Sequence, residues 1–215
     1  MIAVAPDNSG RIRRQNQERI LDAAERVFAE TGFAGATIAE IAASAGLPKA
    51  NVHYYFSTKE DLYRAVLQSI LTLWLAPADR ITPDSDPAEA MADYIRAKME
   101  ASRVHPYASK VFANEILHGG GQIQPFLSED LRRRVEDKAA VLDGWISGGR
   151  MAPVDTRHVF FWIWAITQHY ADFDIQVRTV LARKRLARRD FDHITAEVVR
   201  FVLRGLGLEF SIQQG

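Results

Sequence analysis

The stretch TIAEIAASAGLPKANVHYYFSTKEDLY, Thr37 to Tyr63, is the part of the chain whose reading decides the fold. Thr37 followed three residues on by Glu40 spells a capping box. The hydroxyl takes one orphan N–H of the first helical turn, and the carboxylate reaches back to another. It opens a short helix, IAEIAASA, that Gly46 closes. A second short helix runs from Pro48, which suits a first turn because its missing N–H would have no partner there, to about Phe56. Ser57 and Glu60 spell another capping box and start a longer helix through Leu62, Val66, Ile70 and Leu73 toward Pro77. Two short capped helices joined by SAGL are either a helix-turn-helix or a tight helix pair of an ordinary bundle.

Residue types bear on that choice. Lys49, Ala50 and Asn51 open the second helix, the place from which side chains reach base edges in a DNA major groove. Asn pairs with an adenine edge and Lys with a guanine edge, while the small Ala50 permits close approach. Val52 and Phe56, four apart, would seat the helix on Val27, Phe28, Ile38 and Ile41. That leaves the row His53, Tyr54, Tyr55 spread over the remaining arc, with tips able to donate to phosphates.

Outward from this stretch almost every segment has helical period. From Gln15 to Glu30, Ile20, Ala23, Ala24, Val27 and Phe28 recur at spacings of three and four, and Gly32 is placed to end that helix. Arg11, Arg13, Arg14 and Arg19 cluster ahead of and inside it. They read as an arm that lies along phosphates or enters a narrow minor groove, or as a solvated tail. PADRITPDSDP, Pro77 to Pro87, reads as a loop that hinges the early helices to the later ones. Helical patterns then cover 87–104, 106–117, 128–147, 155–181 and 190–206, and no segment alternates long enough for a strand. The expected fold is all-α: a three-helix helix-turn-helix domain over residues 1–60, with 1–14 a flexible arm, and a larger helical ligand-binding and dimerisation domain over 61–215.

Composition narrows the rest. The 215 residues are 47% hydrophobic and 25% charged with zero formal net charge, so DNA binding would depend on local charge placement. Residues 1–60 hold equal numbers of acids and bases, so even the expected head is not basic as a whole. Absence of cysteine excludes disulfides, thiolate chemistry and Cys-based zinc sites. No apolar run suffices for a bilayer and the start lacks a signal pattern, so a cytoplasmic protein without membrane contact is expected.

In the C-terminal half, HVFFWIWAITQHYADF and FDHITAEVVRFVLRGL carry apolar stripes; the second would suit packing against its copy in a homodimer. Trp164 and Gln168 are four apart on one helical face. Such a pair either presents a wall and an amide edge to a flat polar heterocycle, or is a core residue and a backbone partner.

The Thr cap, IA..AG, Lys-bearing turn, aromatic pair, Phe and Lys-Glu before Leu-Tyr closely resemble the DNA-binding signature of TetR-family transcriptional regulators over residues 15–65. That resemblance implies base contacts from Lys49, Ala50, Asn51 and His53 and phosphate contacts from Thr37, Tyr54 and Lys59. His53 stands where the family usually has another Tyr, and Tyr55 reads as structural. LTLWLAP, YIRAKMEASR, AAVLDGWISGGRMAPVD and WAITQHYADF further resemble the pyrimidine-utilisation regulators of that family. The likeness implies a ligand pocket at Trp74, Trp164 and Gln168, uracil or thymine as effector, release from operator DNA on binding, and Trp74 as the link to the head. HGGGQIQPF and VLARKRLARRDF do not match, so a related pyrimidine, a catabolite or another flat apolar effector is the alternative.

An enzyme is the rival class. HGGG at His118–Gly121 resembles an esterase oxyanion loop, but the chain has no G-x-S-x-G elbow. His169 and Asp172 are too few to hold a metal, and neither cofactor nor metal is expected. Arg183, Lys184, Arg185, Arg188 and Arg189 read as a solvated loop rather than a second nucleic-acid patch. A DNA-organising protein without a ligand would have a body without a pocket.

Overall fold

The computed structural model describes residues 8–209, and among them every regular element is helical. Helix α1 spans Asn8–Gly35, with Gly32 (φ 70°) breaking it three residues before its end. It therefore starts seven residues ahead of the expected Gln15. Asn8–Arg14, read from sequence as part of a flexible arm, is helix; residues 1–7 of that arm lie outside the described residues. Helix α2 (Ile38–Ala45) opens on the Thr37–Glu40 box and closes on Gly46 at φ 63°, where Leu47 N–H reaches back to the Ala42 carbonyl. Helix α3 is Lys49–Tyr55.

Helix α4 (Lys59–Leu75) is capped by Thr58 and Asp61, not by Ser57 and Glu60 as expected. The two boxes are offset by one residue, and local sequence cannot choose between them. Tertiary packing does: this register buries Leu62, Tyr63, Val66, Leu67 and Ile70 together. A 3₁₀ turn, Ala76–Arg80, comes next.

Helices α5 (Pro87–Val104) and α6 (Pro106–Leu117) succeed it. A short α7 (Gln124–Phe126) and a π turn (Leu127–Leu131) lead into α8 (Arg132–Ser147). The stretch expected as one helix over 155–181 breaks at Phe173 into α9 (Thr156–Asp172) and α10 (Asp174–Val180). Helix α11 spans Arg188–Gly205.

The 77–87 segment is not a hinge. Ile81 is wholly buried and its carbonyl accepts Lys138 Nζ at 3.0 Å. The Pro83 carbonyl accepts Trp145 Nε1 at 3.3 Å and Arg150 Nη1 at 3.0 Å. Backbone acceptors in a proline-rich segment need outside donors, and here the body supplies them.

Two cores result. One joins α1–α4, down to Trp74, with Ala108 and Val111 of α6. The other joins α5, α8, α9 and α11 around Met91, Ile95, Trp145, Phe160 and Ile163. The apolar stripe of α11, expected to face a second copy, lies inside this core through Phe191, Val198, Val199 and Leu203; Phe201 on its other side is 72% exposed. The first core thus takes in α4 and part of α6 together with α1–α3.

Candidate functional site

The first candidate surface is the exposed side of α3. Val52 and Phe56 are buried, as their spacing requires, which turns Lys49, Ala50, His53 and Tyr54 outward and leaves Asn51 half-buried. Lys49, Asn51 and His53 make no side-chain hydrogen bond among the described residues, so folding leaves their donors and acceptors unassigned. Tyr54 is 71% exposed and packs edge-on against the half-buried Tyr55. Arg13 of α1 stands over the Tyr54 ring at 5.9 Å, which brings the N-terminal arginines beside the same surface. Arg19 does other work: Nη2 donates to the Ala45 carbonyl at 2.7 Å and locks the turn before α3 against α1.

Two residues expected at phosphates carry structural bonds. Thr37 caps α2, its Oγ1 accepting the Glu40 N–H and donating to Glu40 Oε2. Lys59 Nζ donates to the Phe33 and Ala36 carbonyls at 2.8 and 3.0 Å, across the Phe33 ring. Those carbonyls lie where α1 ends, and the N–H groups four residues on, of Thr37 and Glu40, are taken by the α2 capping box, so the lysine satisfies them. One of its three N–H groups is left.

The second candidate site is a cavity of about 310 Å³ among α4, α5, α6, α8 and α9. Trp74, from the last turn of α4, and Trp164 and Gln168, one turn apart on α9, all line it. The structure therefore brings together the three residues that the resemblance paired. Its walls are mostly apolar, including Leu71, Phe112, Ile116, Leu131 and Phe160. Trp74 packs edge-on against Phe112, and Trp164 Nε1 donates to Tyr94 Oη at 2.7 Å. Burial pushes the Tyr94 phenol up to about 12 against the lowering effect of that bond, so it stays protonated and free to donate.

Tyr94 and Lys98 escaped the sequence reading. Lys98 is 4% exposed, and its Nζ lies 4.6 Å from the Trp74 ring centroid. Met91, Tyr94, Ile95, Lys98 and Met99 share one apolar face of α5, so a lysine at core spacing was the signal.

Head and body meet through α6. Tyr63 Oη donates to Glu115 Oε2 at 3.0 Å in a buried pair, and Gln122 N–H donates to Oε1 at 2.8 Å. Glu25 of α1 accepts the backbone N–H of Ala108 at the start of α6. Burial above all, then Asp22, raises its pKa to about 7 despite that bond. A carboxyl raised in the folded state holds a proton that the unfolded chain has lost, so its contribution falls as pH rises from about 4.5 through 7. Glu25→Gln should flatten the fall in melting temperature between pH 5 and 8. Thermal unfolding of both proteins across that range checks it, and parallel curves would refute it.

Among the described residues no group of His, Asp or Glu is arranged to hold a metal, and no helix is long and apolar enough to cross a membrane.

Comparison with known proteins adds a frame to this geometry. Residues 20–66 match the family described as bacterial regulatory proteins, tetR family, and residues 67–209 match the C-terminal region of YcdC-like proteins. The HTH-type transcriptional regulator RutR of Escherichia coli (strain K12) is 40% identical over 190 residues, 88% of this chain and 90% of RutR. The HTH-type transcriptional repressor NicS of Pseudomonas putida is 28% identical over 63% of this chain and 64% of its own length. Among solved structures, the ketosteroid transcriptional regulator KstR2 of Mycobacterium tuberculosis superposes with a TM-score of 0.71 at 20% identity, over 88% of this chain and 94% of its own. AibR in complex with isovaleryl coenzyme A and operator DNA superposes with a TM-score of 0.69 at 19% identity, over 86% and 97%. At such identities these two speak for the fold alone.

Proposed function

The chain belongs to the TetR family of bacterial regulatory proteins, and from that premise we propose that it is a homodimeric repressor of pyrimidine-metabolism genes that uracil or thymine releases from its operator. Its class is transcriptional regulator, not enzyme. The observation that carries the ligand part is the convergence of Trp74, Trp164 and Gln168 on one small cavity. Two indoles offer faces to a flat ring, and an amide offers one donor and one acceptor to an imide edge. The resemblance of LTLWLAP and WAITQHYADF to pyrimidine-utilisation regulators supports the same reading.

At the head, Lys49, Ala50, Asn51 and His53 meet bases while Thr37, Tyr54 and the remaining N–H of Lys59 meet phosphates. Helix α4 connects the two events. It begins at Lys59, bonded to the end of α1, and ends at Trp74 in the cavity wall. At 1.5 Å per residue it is a rod of roughly 25 Å. A ring held between Trp74 and α9 fixes the lower end of that rod and so moves the head with it. Ligand must bind better to the dimer whose recognition helices miss successive grooves about 34 Å apart; that difference in affinity is the whole driving force.

Support for the dimer comes from the outer faces of α9 and α11, where Trp162 is 50% and Phe201 72% exposed beside a groove. Phe201→Glu should yield monomers in sedimentation analysis and lose operator binding; a dimer of unchanged affinity would locate the interface elsewhere.

Calorimetric titration with uracil, thymine, cytosine and dihydrouracil tests the ligand. Saturable binding of uracil or thymine is expected, with cytosine weaker because its amino group replaces an acceptor by a donor. If none of the four binds, the effector is not a pyrimidine, and the regulator class stands without it.

A further inference from the structure

Lys98 is the lining residue whose chemistry the pyrimidine reading does not yet use. A lysine almost wholly buried on the apolar face of α5 is costly unless an acceptor meets it. Among the described residues, no acceptor lies within hydrogen-bond distance of its Nζ, and its close neighbour is the Trp74 ring at 4.6 Å. Asp172 acts on it only from a distance, its own carboxylate accepting the Ser109 hydroxyl. Burial brings the amine down to about 8, so it remains mostly protonated at neutral pH.

The other polar lining groups sharpen this. Arg134 pairs with Asp79 and Lys138 with the Ile81 carbonyl, which leaves Lys98 as the lining cation without a protein acceptor among the described residues. No carboxylate lines the cavity among them. Tyr94, its oxygen already accepting Trp164 Nε1–H, keeps its own hydrogen to give. Donors therefore outnumber acceptors, and the lining suits a ligand that brings acceptor oxygens.

We propose that Lys98 is a specificity-determining residue that ranks effectors by the acidity of their ring imide, its Nζ–H donating to a ring oxygen of the ionised imide, whose share at neutral pH rises with that acidity. The inference rests on the pyrimidine reading. A charge-assisted bond strengthens with the charge on its acceptor, whereas stacking on Trp74 and Trp164 does not follow imide acidity. Lys98 would thus supply the discrimination and the indoles the affinity common to all flat rings.

Uracil, 5-fluorouracil and 6-azauracil differ little in shape and rise in imide acidity, which makes them the probes. Each is titrated calorimetrically at neutral pH into the intact chain and into Lys98→Met, whose unbranched side chain occupies similar space, with circular dichroism to establish folding. In the intact chain affinity should rise by about tenfold across the series, the size of effect a charge-assisted bond gives. The Lys98→Met series should be flat. If that variant does not fold, Lys98→Gln, which keeps a neutral donor, should bind uracil with a flattened series. Equal affinities in the intact chain, or the same slope in the variant, overturns the role of Lys98 and leaves the pyrimidine reading standing. Failure of all three rings to bind overturns both.

Discussion

Lys49→Ala should weaken operator binding by roughly two to three orders of magnitude while the melting temperature stays unchanged. Lys49 is the first residue of α3, exposed, and makes no bond within the chain among the described residues. Removing it therefore takes nothing from the folded protein. A side chain reading a base edge contributes about 1–3 kcal/mol, and a two-fold dimer loses it at both half-sites. The measurement is fluorescence anisotropy at fixed salt, against a duplex that the unaltered protein selects from random sequence. Repeating it over a salt series separates two roles. A lost base contact relaxes sequence preference at one position, whereas a lost phosphate contact weakens all sequences alike and lowers the salt slope. Affinity within twofold of the unaltered protein would sink the assignment of α3 as recognition helix.

The second large effect belongs to Gln168→Ala. Its expected outcome is a loss of roughly 100-fold in effector affinity with operator binding intact, because two hydrogen bonds to a desolvated ring edge go unmade on the ligand's side. Gln168 is half-buried on α9, one turn beyond Trp164, and lines the cavity. The head does not include it, so DNA binding has no reason to change. A variant that still leaves its operator at the ordinary effector concentration would show that the cavity is not where the effector acts.

Local chemistry made a good part of this legible. The Thr37–Glu40 box, Gly46 in its left-handed turn and the inward pair Val52 and Phe56 depend on residues within a few positions of one another, and each is found as read. So is the shared face of Trp164 and Gln168, since a helix puts residues four apart side by side. The readings that failed needed a partner distant in sequence. Ser57 and Thr58 are both plausible caps, and burial of Leu62 and Val66 against α1 selects Thr58. The 77–87 stretch has the composition of a hinge, yet Lys138, Trp145 and Arg150 fasten it. Helix α11 has the stripe of a dimer helix, yet α5 takes that stripe first. The two carbonyls that Lys59 meets were not legible either, because they come from the end of α1, more than twenty residues away.

By itself the sequence determined an all-helical chain, a helix-turn-helix at Ile38–Tyr55, and the side chains that α3 turns outward. These come from the 3.6-residue period, caps and turn residues, which act over one or two turns of backbone. Only the tertiary structure decided that Trp74, Tyr94, Lys98, Phe112, Trp164 and Gln168, drawn from four helices, enclose one cavity. It also decided that Glu25 and Tyr63 tie the head to α6. Period tells which face of a helix is apolar but not which other helix covers it. That choice is made by the packing of whole faces, where a single lysine on an apolar stripe becomes a cavity-facing cation because no acceptor among the described residues reaches it.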